Sequence, residues 1–213
     1  MTKISTQVLI CPNCQTKTTF KKYDSINATL EPKLKEQLLT GELFTFTCPD
    51  CQTKATVLYD LLYTDVKQKL LIQYVADEKN LAQARQNISQ ALLAAHQLSD
   101  QDLLADGYEI RYTADPGALR EKIMLRDEKI DDRIVELMKY ILLTQQEIDY
   151  DQVLFERKAP GQLELVATKD DQIIANAPFS YDFYNELNKM FASHLKERPS
   201  NVDQTYARKF YTN

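Results

Sequence analysis

The sequence predicts an α+β protein: a two-knuckle ribbon carrying a helical insertion, followed by an α+β domain with a small antiparallel sheet. Three observations predict it. The stretch Cys11–Thr19 recurs as Cys48–Thr56, with seven of nine positions identical and the copies 37 residues apart. Segments with apolar residues at helical spacing recur between short β-favouring runs. Three late runs, separated by Pro160-Gly161 and Asp170-Asp171 turn signals, read as an antiparallel set.

The elements follow in order. The apolar run Val8-Leu9-Ile10 enters the first knuckle, and Thr18-Thr19-Phe20 leaves it as β-favouring chain. A helix is predicted at 32–40, with Pro32 in its first turn, Leu34, Leu38 and Leu39 as its apolar stripe, and Gly41 just past its end. Leu43–Thr47 reads as a strand entering the second knuckle. Thr56–Tyr63 and Gln68–Val75 read as a hairpin turning near Thr64-Asp65. Asp77–Ser99 is helical, with Leu81, Ala84, Ile88, Ala91, Leu92 and Ala95 at helical spacing. Tyr108–Tyr112 reads as a strand. Asp115-Pro116 starts a helix that runs to about Arg126, and a second helix over 130–145 buries Ile130, Ile134, Leu137 and Ile141. Val153–Arg157, Leu163–Ala167 and Gln172–Ala175 form the late sheet. Tyr181–Leu195 is a last helix, which Pro199 breaks from a polar tail. The expected organisation is a ribbon over 1–76, a helical connector over 77–106 and an α+β domain over 107–213.

The knuckles hold every cysteine in the chain. Two Cys-x-x-Cys pairs are the sequence form of a tetrahedral thiolate zinc site, so Cys11, Cys14, Cys48 and Cys51 are the candidate ligands of one Zn2+. A knuckle is a tight turn in which amides two and three residues past the first cysteine donate to its sulfur. Pro12 and Pro49 occupy a position whose missing N–H is not among those donors, and their fixed φ pre-sets the turn. Four thiolates close the coordination shell and leave no position for an activated water, which makes the site structural. Gln15 and Gln52 stand after the second cysteines, where many knuckles have Gly, and a non-Gly left-handed residue there costs about 1 kcal/mol or more. The competing reading is a redox dithiol. That motif sits at a helix N-terminus, whereas both pairs here precede β-favouring residues, and two copies would be redundant.

Composition bounds the function classes. The net charge is −5 and hydrophobic residues make up 44% of the chain, a globular balance that argues against a broad polyanion binder. Residues 1–54 carry seven lysines against five acids, and 192–213 four basic against two acidic groups, so both ends are mildly basic. No apolar run approaches the roughly 20 residues that span a bilayer, and the N-terminus leads straight into a knuckle. A cytoplasmic protein without membrane contact is expected, and reduced thiols there favour metal over disulfides.

The sharpest cluster elsewhere is Glu121-Lys122 with Asp131-Asp132-Arg133 and Glu136. Paired carboxylates beside cations suit a metal-dependent hydrolase. The simpler reading is a solvated ladder, because Asp132, Glu136 and Lys139 fall on one helix face opposite Ile134, Leu137 and Ile141. His96 and His194 have no ligand-spaced partners. Tyr181, Phe183, Tyr184 and Phe191 read as core or interface before they read as a base-stacking platform. Tyr206, Arg208, Lys209, Phe210 and Tyr211 form a basic, aromatic tail suited to a partner, nucleic acid included. The leading function is a non-enzymatic binding or adaptor protein, with a protein partner or self-association.

The paired Cys-Pro-x-Cys knuckles, the intervening segment Pro32–Leu43 and the phenylalanine-rich run into Cys48 resemble the CpXC-domain proteins of bacteria and archaea. Leu119–Ile123 and Ile130–Glu136 resemble the segment that follows the knuckles in that family. The resemblance covers residues 8–142 and carries the family's four cysteines onto Cys11, Cys14, Cys48 and Cys51; Gln15 and Gln52 depart from the family's frequent Gly. It implies a bacterial, cytoplasmic protein and supplies no catalytic residue.

Overall fold

The computed structural model describes residues 2–96, 100–146, 149–159, 161–170 and 172–210. The chain divides into two compact units, Met1–Pro116 and Gly117–Asn213. Both combine helices with strands, as expected of an α+β chain.

The first unit is built on β1 (Lys3–Ile10), β2 (Lys17–Asn27), α1 (Pro32–Leu39), β3 (Thr45–Thr47), β4 (Lys54–Thr56), β5 (Leu61–Asp65), β6 (Leu70–Tyr74), α2 (Leu81–His96), α3 (Asp100–Ala105) and β7 (Glu109–Thr113). Five strands pair in the order β1-β2-β5-β6-β7, and β3 pairs with β4 in a separate ribbon. The first knuckle is the turn of the antiparallel β1/β2 hairpin, and the second knuckle is the turn of β3/β4. β6 is buried along its whole length, with Ile72 and Tyr74 fully enclosed beside Leu61 and Tyr63 of β5. Each such side chain contributes about 1.5–3 kcal/mol of burial. The opposite sheet face sets Leu71, Ile110 and Tyr112 against Ile88 of α2 and Leu103 of α3.

Local chemistry explains the ends of α1. Pro32 occupies its first turn, and Gly41, at φ 77°, takes the left-handed position past the C-cap Thr40, donating its N–H to the Leu38 carbonyl. A 3₁₀ turn over Glu42–Phe44 then feeds β3. An aromatic chain links the knuckle hairpins to the sheet: Phe46–Phe20, Phe20–Tyr59, Tyr59–Phe44 and Phe44–Tyr74, with centroids 5.0–6.3 Å apart.

Three sequence expectations change in this unit. The single strand expected over Thr56–Tyr63 is two: β4 turns off to carry the second knuckle, while β5 joins the main sheet between β2 and β6. The hairpin turns over 66–69, after Asp65, whose carboxylate accepts from the Gln68 amide. The strand at 109–113, assigned by sequence to the second domain, pairs in parallel with β6 in the first unit. A parallel partner is reached only by a crossover, and α2 and α3 supply it, so the 77–106 segment is part of the sheet's connectivity. The polar stretch before Gly107 is helical as α3, and the predicted helix end at Ser99 lies outside the described residues.

The second unit contains α4 (Pro116–Asp127), α5 (Asp132–Gln146), the antiparallel meander β8 (Gln152–Ala159), β9 (Gln162–Lys169) and β10 (Gln172–Pro178), then α6 (Tyr181–Met190) and α7 (Gln204–Arg208). Its core gathers Leu125, Ile134, Leu137, Met138, Phe155, Leu165, Leu187 and Ala207. The expected turn residues Pro160 and Asp171 lie outside the described residues; Gly161 and Asp170 beside them both have positive φ. α6 is shorter than expected: it stops at Met190, and a 3₁₀ turn follows at His194–Lys196.

Candidate metal centre

The two hairpins bring the four cysteines together. Cys11 Sγ lies 3.6 Å from Cys51 Sγ, and Cys14 Sγ lies 3.6 Å from Cys48 Sγ. All four sulfurs fall within 4.8 Å of one another. A tetrahedral zinc with Zn–S bonds of about 2.3 Å sets its sulfurs about 3.8 Å apart, so this donor set fits the ion. The first cysteine of each knuckle is buried; Cys14 is exposed and Cys51 half-buried.

The knuckles are near copies in bonding as well as sequence. Cys11 N–H donates to the Thr16 carbonyl at 2.9 Å and Gln15 N–H to the Cys11 carbonyl at 3.0 Å; Cys48, Thr53 and Gln52 repeat both bonds at 2.9 and 3.0 Å. The Asp50 and Cys51 amides reach the Cys48 sulfur, the positions two and three past a first cysteine that the sequence pointed to. Gln15 and Gln52 sit at φ 61° and 59°, the left-handed conformation expected of them. Their side-chain amides donate to the Pro12 and Pro49 carbonyls, at 3.4 and 3.1 Å, which offsets part of the backbone cost.

The sequence reading missed the threonines. The Thr53 hydroxyl and backbone amide are the largest influences pulling the Cys51 thiol down to about 5, and Asn13 adds to them. The Thr16 side chain and backbone amide lower Cys14 in the same way, and a 2.6 Å contact between the Thr16 hydroxyl and Asp50 Oδ2 ties the knuckles together. The signal was present in the repeat itself, which keeps Gln-Thr-Lys after each second cysteine. Cys48 goes the other way, to about 11. The Cys51 and Asp50 amides lower it, but burial and the Cys14 and Cys11 sulfurs prevail. Four sulfurs this close cannot all carry charge unless a cation sits among them. A dication bound by four thiolates meets that condition and leaves a net charge of −2 on the centre.

The carboxylates at 121–136 do not form a second centre. Asp131 caps α5: its Oδ1 accepts from the Arg133 N–H at 3.0 Å, and both its oxygens bind the Arg133 guanidinium at 2.9 and 2.5 Å. Asp132 accepts from Lys122 Nζ at 3.2 Å, which also donates to the Val202 carbonyl at 2.7 Å. Glu121 accepts from Lys139 Nζ at 2.5 Å and from the Phe155 amide at 2.9 Å, while Glu136 accepts from Lys139 at 2.9 Å. The expected solvated ladder is instead a buried network. Glu121, Lys122, Asp132, Glu136 and Lys139 are all at most 6% exposed. Burial alone pulls the Lys139 ammonium down, but Glu121 and Glu136 hold it above its ordinary value. Two carboxylates share that one ammonium, and burial pushes the deeper Glu121 up. Among the described residues, the four cysteines are the group of metal-binding side chains that converges on one point.

The aromatic candidates are also engaged. Phe183, Tyr184 and Phe191 pack against the second core, and the Tyr184 hydroxyl accepts from the Asp131 amide at 3.0 Å. The tail folds as α7, buries Tyr206 and sets Phe210 edge-to-face with Phe191, His194 and Tyr206; Tyr211 lies outside the described residues.

The sequence model of the family described as "CpXC protein" matches residues 9–139, about three-fifths of the chain. The chain belongs to the CpXC family. The match takes in both knuckles, the whole main sheet from Leu9 onward, α4 and α5 as far as Lys139. No curated protein and no solved structure matches the chain. No helix among the described residues is long and apolar enough to cross a membrane.

Proposed function

We propose that this CpXC protein is a zinc-stabilised, non-enzymatic binding or adaptor protein. Cys11, Cys14, Cys48 and Cys51 hold one structural Zn2+, and the ribbon so formed presents surfaces to a protein partner or to a second copy. The observation that carries the reading is the convergence of four sulfurs within 4.8 Å at the tips of two hairpins. Zinc bound there supplies a closed, redox-silent crosslink between the hairpins and no open position for substrate. The reading places the protein in the cytoplasm, where the thiols stay reduced.

The test is metal analysis of purified protein together with Cys11→Ser. One zinc per chain is expected, with its loss and the unfolding of both hairpins in the variant. A metal-free protein with the same thermal midpoint as the zinc-loaded one contradicts the reading.

A further inference from the structure

β1 is the outermost strand of the five-stranded sheet and, among the described residues, pairs with β2 alone. Its polarity is inverted for such a strand. Ser5, Gln7 and Leu9 are half-buried on one face, while Ile4, Val8 and Ile10 are 49%, 70% and 55% exposed on the other. Thr6 completes that open row, and Tyr23, Lys21, Thr19 and Lys17 of β2 lie beside it in register. A contiguous apolar row on an open strand edge marks a surface for association.

The free peptide groups belong to the same residues. The Cys11 N–H donates to the Thr16 carbonyl across the hairpin. By the two-residue alternation of an antiparallel pair, Leu9, Gln7 and Ser5 also turn their peptide groups toward β2. Ile10, Val8, Thr6 and Ile4 turn theirs to the open edge. The Tyr59 hydroxyl agrees with that phase: it meets the backbone amide of Tyr23, the register partner of Ile4, as it must if Tyr23 faces away from β1.

Other strands at sheet edges are guarded. β8 carries Glu156, Arg157 and Lys158, β10 has a bulge at Ile174 and ends in Pro178, and β7 is buried over four of its five residues. Ile4–Ile10 has no charge, proline or bulge. The one irregularity of its pairing lies at Lys3, where the extra residue is Asp24 of β2. An edge this bare invites a further strand.

We propose that a second copy of this chain covers β1, edge to edge and antiparallel about a two-fold axis at Gln7. That register sets Ile4 of each copy opposite Ile10 of the other, and Thr6 opposite Val8. Every outward peptide group from Ile4 to Ile10 then gains a partner, and the β-branched side chains pair with one another. Charge favours this occupant. Lys17 aligns across the joint with Ile10, then with Ile4 and Tyr23 of the other copy; Lys21 aligns with Thr6, then with Val8 and Thr19 of the other copy. No row holds two lysines. Lys3 of each copy comes opposite Cys11 of the other, which sets a cation beside the anionic zinc–thiolate centre. Each copy uses its whole β1 edge, so the assembly closes at two. The proposal deepens the binding reading by naming its partner, and rests on the zinc reading for the charge at Cys11.

The test is sedimentation velocity of the untagged, zinc-loaded full chain from about 1 µM to about 1 mM, the span of a small, reversible interface. A monomer–dimer equilibrium is expected. Thr6→Lys and Val8→Glu, both at exposed positions, each weaken the dimer about tenfold, because each alters two symmetry-related pairs. Mixing the two variants in equal amounts restores association, since the introduced charges then face each other across the joint. A chain that stays monomeric overturns the proposal, whether another protein covers the edge or none does. So does a dimer that either variant leaves unchanged, or that the mixture fails to restore. Zinc is counted in the same samples. One zinc per chain in a monomer overturns the dimer alone, and a zinc-free chain that still dimerises in this register overturns the metal reading alone.

Discussion

The two units of this CpXC protein handle crowded charge in opposite ways. In the first, four thiols stand at the tips of two hairpins, partly open to solvent, and converge on a point that can take a metal cation from outside the chain. In the second, three carboxylates and two ammonium groups are packed inside the core and balance one another, with a net charge of −1. The difference is instructive about cost. A metal site adds its binding free energy directly to folding. A buried ion network spends most of its attraction on desolvation and is costly mainly when broken.

The largest expected effect follows from that contrast. Chelation, or Cys11→Ser, removes on the order of 10 kcal/mol of metal-linked folding energy. It should melt the β1/β2 and β3/β4 hairpins while leaving amide-exchange protection in α5 and β9 intact. Loss of protection in both units together would break the comparison. Next in size is Lys139→Met, which strands Glu121 and Glu136 as buried, unpaired acids. Breaking a buried pair in this way costs about 3–5 kcal/mol. Urea denaturation followed by circular dichroism should show that loss with zinc content unchanged. A cost under about 1 kcal/mol would mean that the network is as solvated as a surface pair.

Smaller effects sharpen the picture within the first unit. Tyr59 and Tyr74 are pushed up to about 12 by burial, against an ordinary value of 10.0. The folded state holds those protons more tightly than the unfolded chain does. Their contribution is fully present below pH 10 and is lost as pH rises through 12. Alkaline difference absorbance should find two tyrosines that ionise only as the first unit unfolds; ionisation of all tyrosines near 10 would contradict it. The smallest effect is at the knuckles. Gln15→Gly relieves a left-handed residue whose side-chain bond, at 3.4 Å, is long. It should stabilise by about 0.5–1 kcal/mol. Gln52→Gly gives up a 3.1 Å bond and should gain less, and thermal midpoints of the two variants decide the order.

The same contrast governs what the sequence could tell. The knuckles are legible because their chemistry is encoded by local spacing and repeated, down to the left-handed glutamines. α1 was legible from Pro32 and Gly41, and α4 from Pro116, because caps and φ constraints are local. The burial of Glu121, Asp132, Glu136 and Lys139 was not. A polar face on a helical wheel looks the same whether it meets water or oppositely charged groups from another element. The mixed signs of Glu121-Lys122 and Asp132 with Lys139 were the available hint. The place of β7 beside β6 was illegible for a related reason, since parallel pairing across a crossover leaves no turn signal. β1 and β2 were seen only as short runs by their knuckle, because their polar, half-exposed residues carry little apolar alternation.

The central claim is that four thiolates hold one zinc. Zinc-edge X-ray absorption on the purified, full-length chain tests it most directly. The account predicts four sulfur neighbours at about 2.3 Å and no lighter ligand. A shell with oxygen or nitrogen in place of any sulfur, or a folded first unit with no metal bound, would contradict it.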